Sequence, residues 1–156
     1  MSWYGRGPWA NYQDKKSGAD IGIYSGQVDS LWTDYVRPQE NGNRCDVRWV
    51  AFTNKNGEGL MAIGDPTLSI SAWPYSLDDL EKAKHIDDLP HRNYITVNLD
   101  YKQMGVGGVN TWSPRARPLP QFRLTTTHSY KYKFYLMPYS SKMGSMDDAA
   151  RNNSCF

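Results

Sequence analysis

Apolar positions along the chain recur every second residue in short runs separated by Gly, Pro and Asn, the period of antiparallel strands rather than of helices. In "DVRWVAF", residues 46–52, Val47, Trp49 and Ala51 fall on one face and Arg48, Val50 and Phe52 on the other, so both faces carry bulk. The Asn56-Gly57 pair in "TNKNGEG" predicts a hairpin turn into "GLMAIG", because both residues tolerate positive φ. In "TLSISAW", residues 67–73, Leu68, Ile70 and Ala72 are expected inward and Ser69 and Ser71 outward. Ile95, Val97, Leu99 and Tyr101 repeat the scheme. "YKYKFYL" sets Tyr130, Tyr132, Phe134 and Leu136 opposite Lys131 and Lys133, as in a half-exposed strand. The expected fold class is all-β, an antiparallel sandwich of facing sheets.

Two segments depart from that period. "SLDDLEKAK" has Ser76 as N-cap, Asp79 three residues on, and an acidic first turn, which predicts one short helix near 77–84. After residue 137 apolar periodicity fades into "SSKMGSMDDAARNNSCF", so residues 1–137 are expected to form the domain and 138–156 a flexible tail.

Composition narrows the function classes. A chain of 156 residues suits one domain. A net charge of +2, with Lys and Arg dispersed among Asp and Glu, offers no stripe for tracking phosphates, so nucleic acid is not an expected partner. No apolar run is long enough to span a membrane, and "MSWYGRGPW" has no signal-peptide core. Cys45 and Cys155 make no disulfide framework. Six Trp and eleven Tyr are the unusual figures; their broad apolar faces with polar edges favour sugar stacking and interfaces as well as cores.

Candidate chemistry is sparse. His85, His91 and His128 are scattered and Cys45 has no neighbouring cysteine, so no metal site is expected. "GVGG" lacks the Lys-Ser/Thr ending of a phosphate loop. Asp78, Asp79, Glu81, Asp87 and Asp88 read as solvated charge. Glu40, flanked by Arg37 and Arg44 in "RPQENGNR", reads as a structural, ion-paired carboxylate that fixes a turn; pairing lowers its pKa, the wrong direction for a general acid. Gly105, Gly107 and Gly108 in "MGVGGVNTW" suit a tightly folded loop of one shape ahead of Trp112. From the residues alone, Trp112 either plugs the end of the sheet or presents a platform to the apolar face of a sugar.

Three strings, "GRGPWANYQDKKSG", "YVRPQENGNRCDVRW" and "MGVGGVNTWSP", resemble the C-terminal small-chain domain of the family-2 β-galactosidases, in the same order and over roughly residues 3–137. The resemblance implies the second part of a β-supersandwich of the galactose-mutarotase type. It further implies a retaining glycoside hydrolase whose catalytic glutamates and magnesium ligands lie in a barrel domain with no counterpart here. Trp112 occupies the place of a tryptophan that reaches into that active site and contacts the sugar, with Asn110 beside it as a second substrate contact. The family usually has acidic residues where Val109 and Asn110 stand, and a glutamate of its Gly-Pro-His-Glu-Asn-Tyr string is absent between Pro8 and Asn11. The implied partners are galactosides and the remainder of the enzyme, on the same chain or a separate large subunit. A bacterial compartment, cytoplasmic or periplasmic, goes with them. Self-association of the isolated piece is expected, because cutting a supersandwich exposes strand edges and an apolar face. Two other readings stay open: a free-standing galactoside-binding module, and a complete small enzyme using Glu40 with Asp100.

Overall fold

The computed structural model describes residues 1–90, 92–108, 110 and 112–153. Six strands form one antiparallel sheet: β1 (Ser2–Gly7), β2 (Asp20–Ser25), β3 (Arg44–Thr53), β4 (Glu58–Trp73), β5 (Thr96–Asp100) and β6 (Lys133–Ser140). The order is β2-β1-β3-β4-β5, and β6 also pairs with β4. The sixteen residues of β4 carry both partners on one edge, β6 along Glu58–Asp65 and β5 along Ser69–Trp73. The all-β class and the antiparallel pairing agree with the alternating runs, and the continuous sheet makes one layer of a sandwich-like domain.

The β3–β4 hairpin turns at the predicted dipeptide. Gly57 has φ +75°, and the Asn54 side-chain oxygen accepts from the backbone N–H groups of Asn56 (2.8 Å) and Glu58 (3.1 Å). Adding a Cβ to Gly59 would place it 1.8 Å from the Phe52 carbonyl oxygen, so the hairpin also needs a glycine there for close approach.

Apolar side chains cover both faces of the sheet. One face holds Trp3, Val47, Val50, Ala62, Leu68 and Ile70, flanked by Leu31, Phe52, Leu99 and Phe134. The other holds Trp49, Ala51, Met61, Ile63 and Tyr139. Val47 therefore does not share a face with Trp49 and Ala51 as strict alternation predicts. The β3–β4 register shifts between Val47 and Trp49, and Asp46 next to it takes φ +54°; an irregularity of this kind re-aims every side chain on one side of it. Ser69 and Ser71 are buried rather than outward, and each hydroxyl has a partner there: Ser69 lies 3.9 Å from the Cys45 sulfur, and Asn98 donates to Ser71 at 3.2 Å. On β6, Phe134 packs inward while Leu136 is exposed.

The predicted short helix is α1 (Leu77–Lys82), with the capping box in place: Asp79 N–H donates to Ser76 Oγ at 3.0 Å and Ser76 N–H to Asp79 Oδ2 at 2.9 Å. The expected tail is corrected. Residues 138–140 complete β6, and α2 (Met146–Asn153) lies across the Trp49 face. Its Ala149 and Ala150 are 2% and 4% exposed, and Trp49 Nε1 donates to Asp147 Oδ1 at 3.2 Å. The periodicity that fades as a strand signal at 138 resumes as a helical one, with small residues on the packed face where a large apolar stripe is the usual cue. Cys155 lies outside the described residues, as does His91.

Candidate functional site

The glycine loop leaves β5 and returns through two short 3-10 turns, Pro114–Ala116 and Pro120–Phe122. Each glycine answers a separate geometric demand. Gly105 N–H donates to the Phe122 carbonyl at 2.9 Å, and a Cβ there would lie 2.7 Å from the Asp14 carboxylate. Gly107 takes φ +74°, and a Cβ would lie 1.8 Å from the Ala116 carbonyl oxygen. Gly108 takes φ +147°, again a conformation that side chains disfavour, but with open space around it. Val109 lies outside the described residues.

Beyond the glycines the loop is closed by a side chain. Asn110 Oδ1 accepts from the backbone N–H groups of Trp112 (3.1 Å) and Ser113 (2.9 Å), and its Nδ2 donates to Ser113 Oγ at 2.9 Å. This is an Asx turn, the short amide standing in for backbone. The Asn110 amide is thus engaged in shaping the loop that carries the indole.

Trp112 itself is 88% exposed. A tryptophan plugging the end of the sheet would have its ring among aliphatic side chains, and the core instead takes Trp3, Trp49 and Trp73. An indole open to solvent on a backbone held by the Asn110 side chain presents a broad apolar face with one N–H, the chemistry that stacks on the apolar face of a pyranose.

The loop is also tied to a distant segment. Gly107 N–H donates to Asp14 Oδ2 at 2.7 Å across 93 residues. Asp14 stands on a turn in which Lys15 N–H bonds the Tyr12 carbonyl at 3.0 Å. Behind the loop lies a hollow of about 390 Å³ lined by Asp14, Gly107, Gly108, Arg115, Arg117 and Phe122, among others. The sequence carries no local signal for Asp14, since its partner is a backbone N–H far along the chain.

Glu40 departs from its expectation. Among the described residues it forms no ion pair with Arg37 or Arg44. Gln103 Nε2 donates to it at 3.4 Å and to Asp100 Oδ2 at 2.9 Å, so the amide bridges two carboxylates. Burial and then the Asp100 charge push the Glu40 carboxyl above its usual range, opposite to the downward shift an ion pair gives. Arg44 is buried and turned inward: its guanidinium donates to the Gly42 carbonyl and, at 3.2 Å, to the Pro8 carbonyl, and it lies 5.0 Å over the Trp3 ring. Burial lowers its pKa to about 10 despite the opposing influence of Tyr12. Arg37 is exposed. Tyr12, pushed up to about 12 by burial and then by Glu40, stays a neutral phenol at physiological pH. The Glu40–Asp100 pair is thus brought together, but with the Gln103 amide where a scissile bond would have to lie.

Comparison with known proteins places this loop in context. The family model described as β-galactosidase small chain matches residues 1–136, which include β1 to β5, the glycine loop and the first half of β6. The chain belongs to the β-galactosidase small-chain family. It is 44% identical over 138 residues to a β-galactosidase of Priestia megaterium, a match covering 88% of this chain and 13% of that relative. A β-galactosidase of Vibrio cholerae is 40% identical over 136 residues, covering 87% of this chain and 12% of the relative. One from Lactobacillus delbrueckii subsp. bulgaricus is 35% identical over 136 residues, covering 87% and 13%. The chain therefore spans only 12–13% of the length of these relatives. The family match ends at residue 136, so α2, which covers the Trp49 face, lies beyond it.

Among the described residues no group of three or more His, Cys, Asp or Glu is placed to hold a metal ion, and no helix is long and apolar enough to cross a membrane.

Proposed function

We propose that this chain is an accessory, carbohydrate-contacting part of a β-galactosidase, in which Trp112 supplies an aromatic wall to an active site whose catalytic carboxylates, and magnesium, belong to another domain. The observation that carries this reading is an indole 88% exposed on a loop held by glycine geometry and an Asx turn. Asn110 acts beside it through the loop's shape. Stacking on a sugar stabilises ground state and transition state alike, so its loss shows in KM at least as clearly as in kcat. Kinetics of Trp112→Ala in the full-length enzyme test the proposal; unchanged parameters for lactose and aryl galactosides refute it.

The partner is the remainder of the enzyme, on the same chain or a large subunit. β2, hydrogen-bonded among the described strands to β1 alone, is an edge with Ile21 and Ile23 exposed at 45% and 59%. Such an edge favours pairing with a second chain, and the isolated piece is expected to self-associate. Sedimentation showing only compact monomer at high concentration counts against this.

A free-standing galactoside-binding module is the second reading, favoured by the same exposed indole. Titration of tryptophan fluorescence with galactose or lactose separates the two, since the accessory reading expects little response from the chain alone. Hydrolysis of an aryl galactoside by the pure chain would point instead to the Glu40–Asp100 pair.

A further inference from the structure

We infer that Asp14 is the positioning residue for the Trp112 loop, carrying the rigidity of the sheet to the indole through a single carboxylate–amide bond. The inference rests on the functional reading of Trp112 for its kinetic consequence, but its structural content stands separately. The connection runs from β3 to the loop. Cys45 N–H, in β3, donates to Asn11 Oδ1 at 2.9 Å. Asn11 N–H donates to the Asn43 carbonyl at 2.7 Å, and Asn43 Nδ2 donates back to the Asn11 carbonyl at 2.8 Å. Asn11 and Asn43 are 1% and 2% exposed, so these bonds have no competing water and fix the start of the 12–15 turn against the sheet. The turn presents Asp14, whose Oδ2 receives Gly107 N–H at 2.7 Å.

Only an acceptor at this place meets the need. Gly107 has φ +74° and no room for a Cβ, so its backbone is held in a conformation that a glycine in solution leaves freely. The second hold on the loop, Gly105 N–H to the Phe122 carbonyl, ties it to the following segment of the same loop and not to the sheet. A charge-assisted bond is roughly twice as strong as a neutral one, and Asp14 is the group that supplies one here. Four residues lie between Gly107 and Trp112, and the Asn110 side chain holds the backbone N–H groups of Trp112 and Ser113. Release at Asp14 lets the indole move as part of the loop while the turn around it persists.

The test uses the full-length enzyme with Asp14→Ala, Asp14→Asn, Trp112→Ala and the Asp14→Ala/Trp112→Ala double variant. Hydrogen exchange of the segment 104–110 is expected to become at least about tenfold faster in Asp14→Ala, with the β3 segment 44–53 unchanged, because opening of the loop no longer breaks a bond to a charged group. Asp14→Asn keeps an oxygen acceptor without the charge and restores part of the protection. In kinetics, Asp14→Ala raises KM as Trp112→Ala does, and adds less than about a twofold further change in the Trp112→Ala background, since both act through one ring. Unchanged exchange in Asp14→Ala overturns the inference whatever the kinetics. Additive effects on KM overturn it while leaving the reading of Trp112 intact. A normal KM in Trp112→Ala overturns that reading, and exchange then still decides whether Asp14 holds the loop. If Asp14→Ala does not fold, Asp14→Ser replaces it, its hydroxyl being too short to reach Gly107.

Discussion

Gly107→Ala and Gly108→Ala form a matched pair, because both glycines have positive φ and only the first lacks space. A residue with a Cβ held at φ +74° costs about 1–2 kcal/mol. At Gly107 the added carbon would also lie 1.8 Å from the Ala116 carbonyl oxygen, when real Cβ contacts are not found under 3.0 Å. The backbone must therefore move by more than an ångström, which is enough to stretch the 2.7 Å bond between Gly107 N–H and Asp14 beyond hydrogen-bonding distance. Losing a bond to a charged acceptor adds about 1.5–3 kcal/mol. The loop escapes most of this by swinging away, so the global stability loss is capped near the smaller figure, about 1–2 kcal/mol, while the position of Trp112 is lost. Gly108→Ala carries a conformational cost of about 1–3 kcal/mol and meets nothing within 4 Å.

Thermal unfolding and steady-state kinetics of the full-length enzyme separate the two. Gly107→Ala is expected to match Trp112→Ala in KM, and Gly108→Ala to fall well short of it, although both lower the loop's stability. Equal kinetic effects in the two variants would show that loop flexibility as such, and not the contact at Ala116 and Asp14, governs the indole. No effect in either would remove the loop from function.

Three further outcomes follow from particular contacts. Ending the chain after Ser145 removes two buried alanine methyls worth about 0.8 kcal/mol each and the bond from Trp49 to Asp147 worth about 1 kcal/mol. Set against the entropy of ordering α2, the expected net loss is about 1–2 kcal/mol, a fall in Tm of several degrees, and an unchanged Tm would mean that the helix does not cover Trp49. Glu40→Gln is expected to raise Tm above neutral pH, because the wild-type carboxyl has its pKa raised by burial and Asp100, so its ionised form opposes folding and protonation relieves it as pH falls; lower stability of the variant at pH 8 would restore the ion-paired reading. Asp46 has the opposite sign: burial acts upward on it, but bonds from Lys16 (2.8 Å) and Arg6 (2.6 Å) prevail and its pKa is lowered. Its stabilisation is complete above the ordinary carboxylate range, near pH 4, and is lost as pH falls through the folded value. The Tm gap between wild type and Asp46→Asn is thus constant at neutral pH and closes in acid, and a gap that widens in acid would contradict this.

What could be read in the sequence was what depends on neighbours along the chain. The hairpin at Asn56-Gly57 and the capping box at Ser76 need only residues within four positions, and both formed as expected. The places where reading failed need information from elsewhere. Val47 changes face because β4 carries extra residues opposite it, which the alternation within β3 does not register. Ser69 and Ser71 look like a solvent face until Cys45 and Asn98 close over them. Glu40 looks paired because two arginines flank it, but Arg44 turns inward to Gly42, Pro8 and Trp3, leaving Gln103 as its donor. At the loop, the glycines and Trp112 were visible as a string, whereas Asp14, 93 residues from its partner, was not.

The arrangement of tryptophans bears on what the chain does. Burying an indole is among the most favourable things a small domain can do with one, and Trp3 and Trp73 are fully buried while Trp49 nearly is. Trp112 forgoes that gain and is carried by a loop whose glycines raise the entropy cost of every fixed backbone angle. Nothing in the sheet needs the ring there, since both apolar faces are filled by other residues. Among the described residues, Asp14, Phe122 and Asn110 each hold one part of this loop. Stability of this domain explains those holds and not the exposed ring they support, and the proposed sugar-contacting role of Trp112 is the reading that accounts for both.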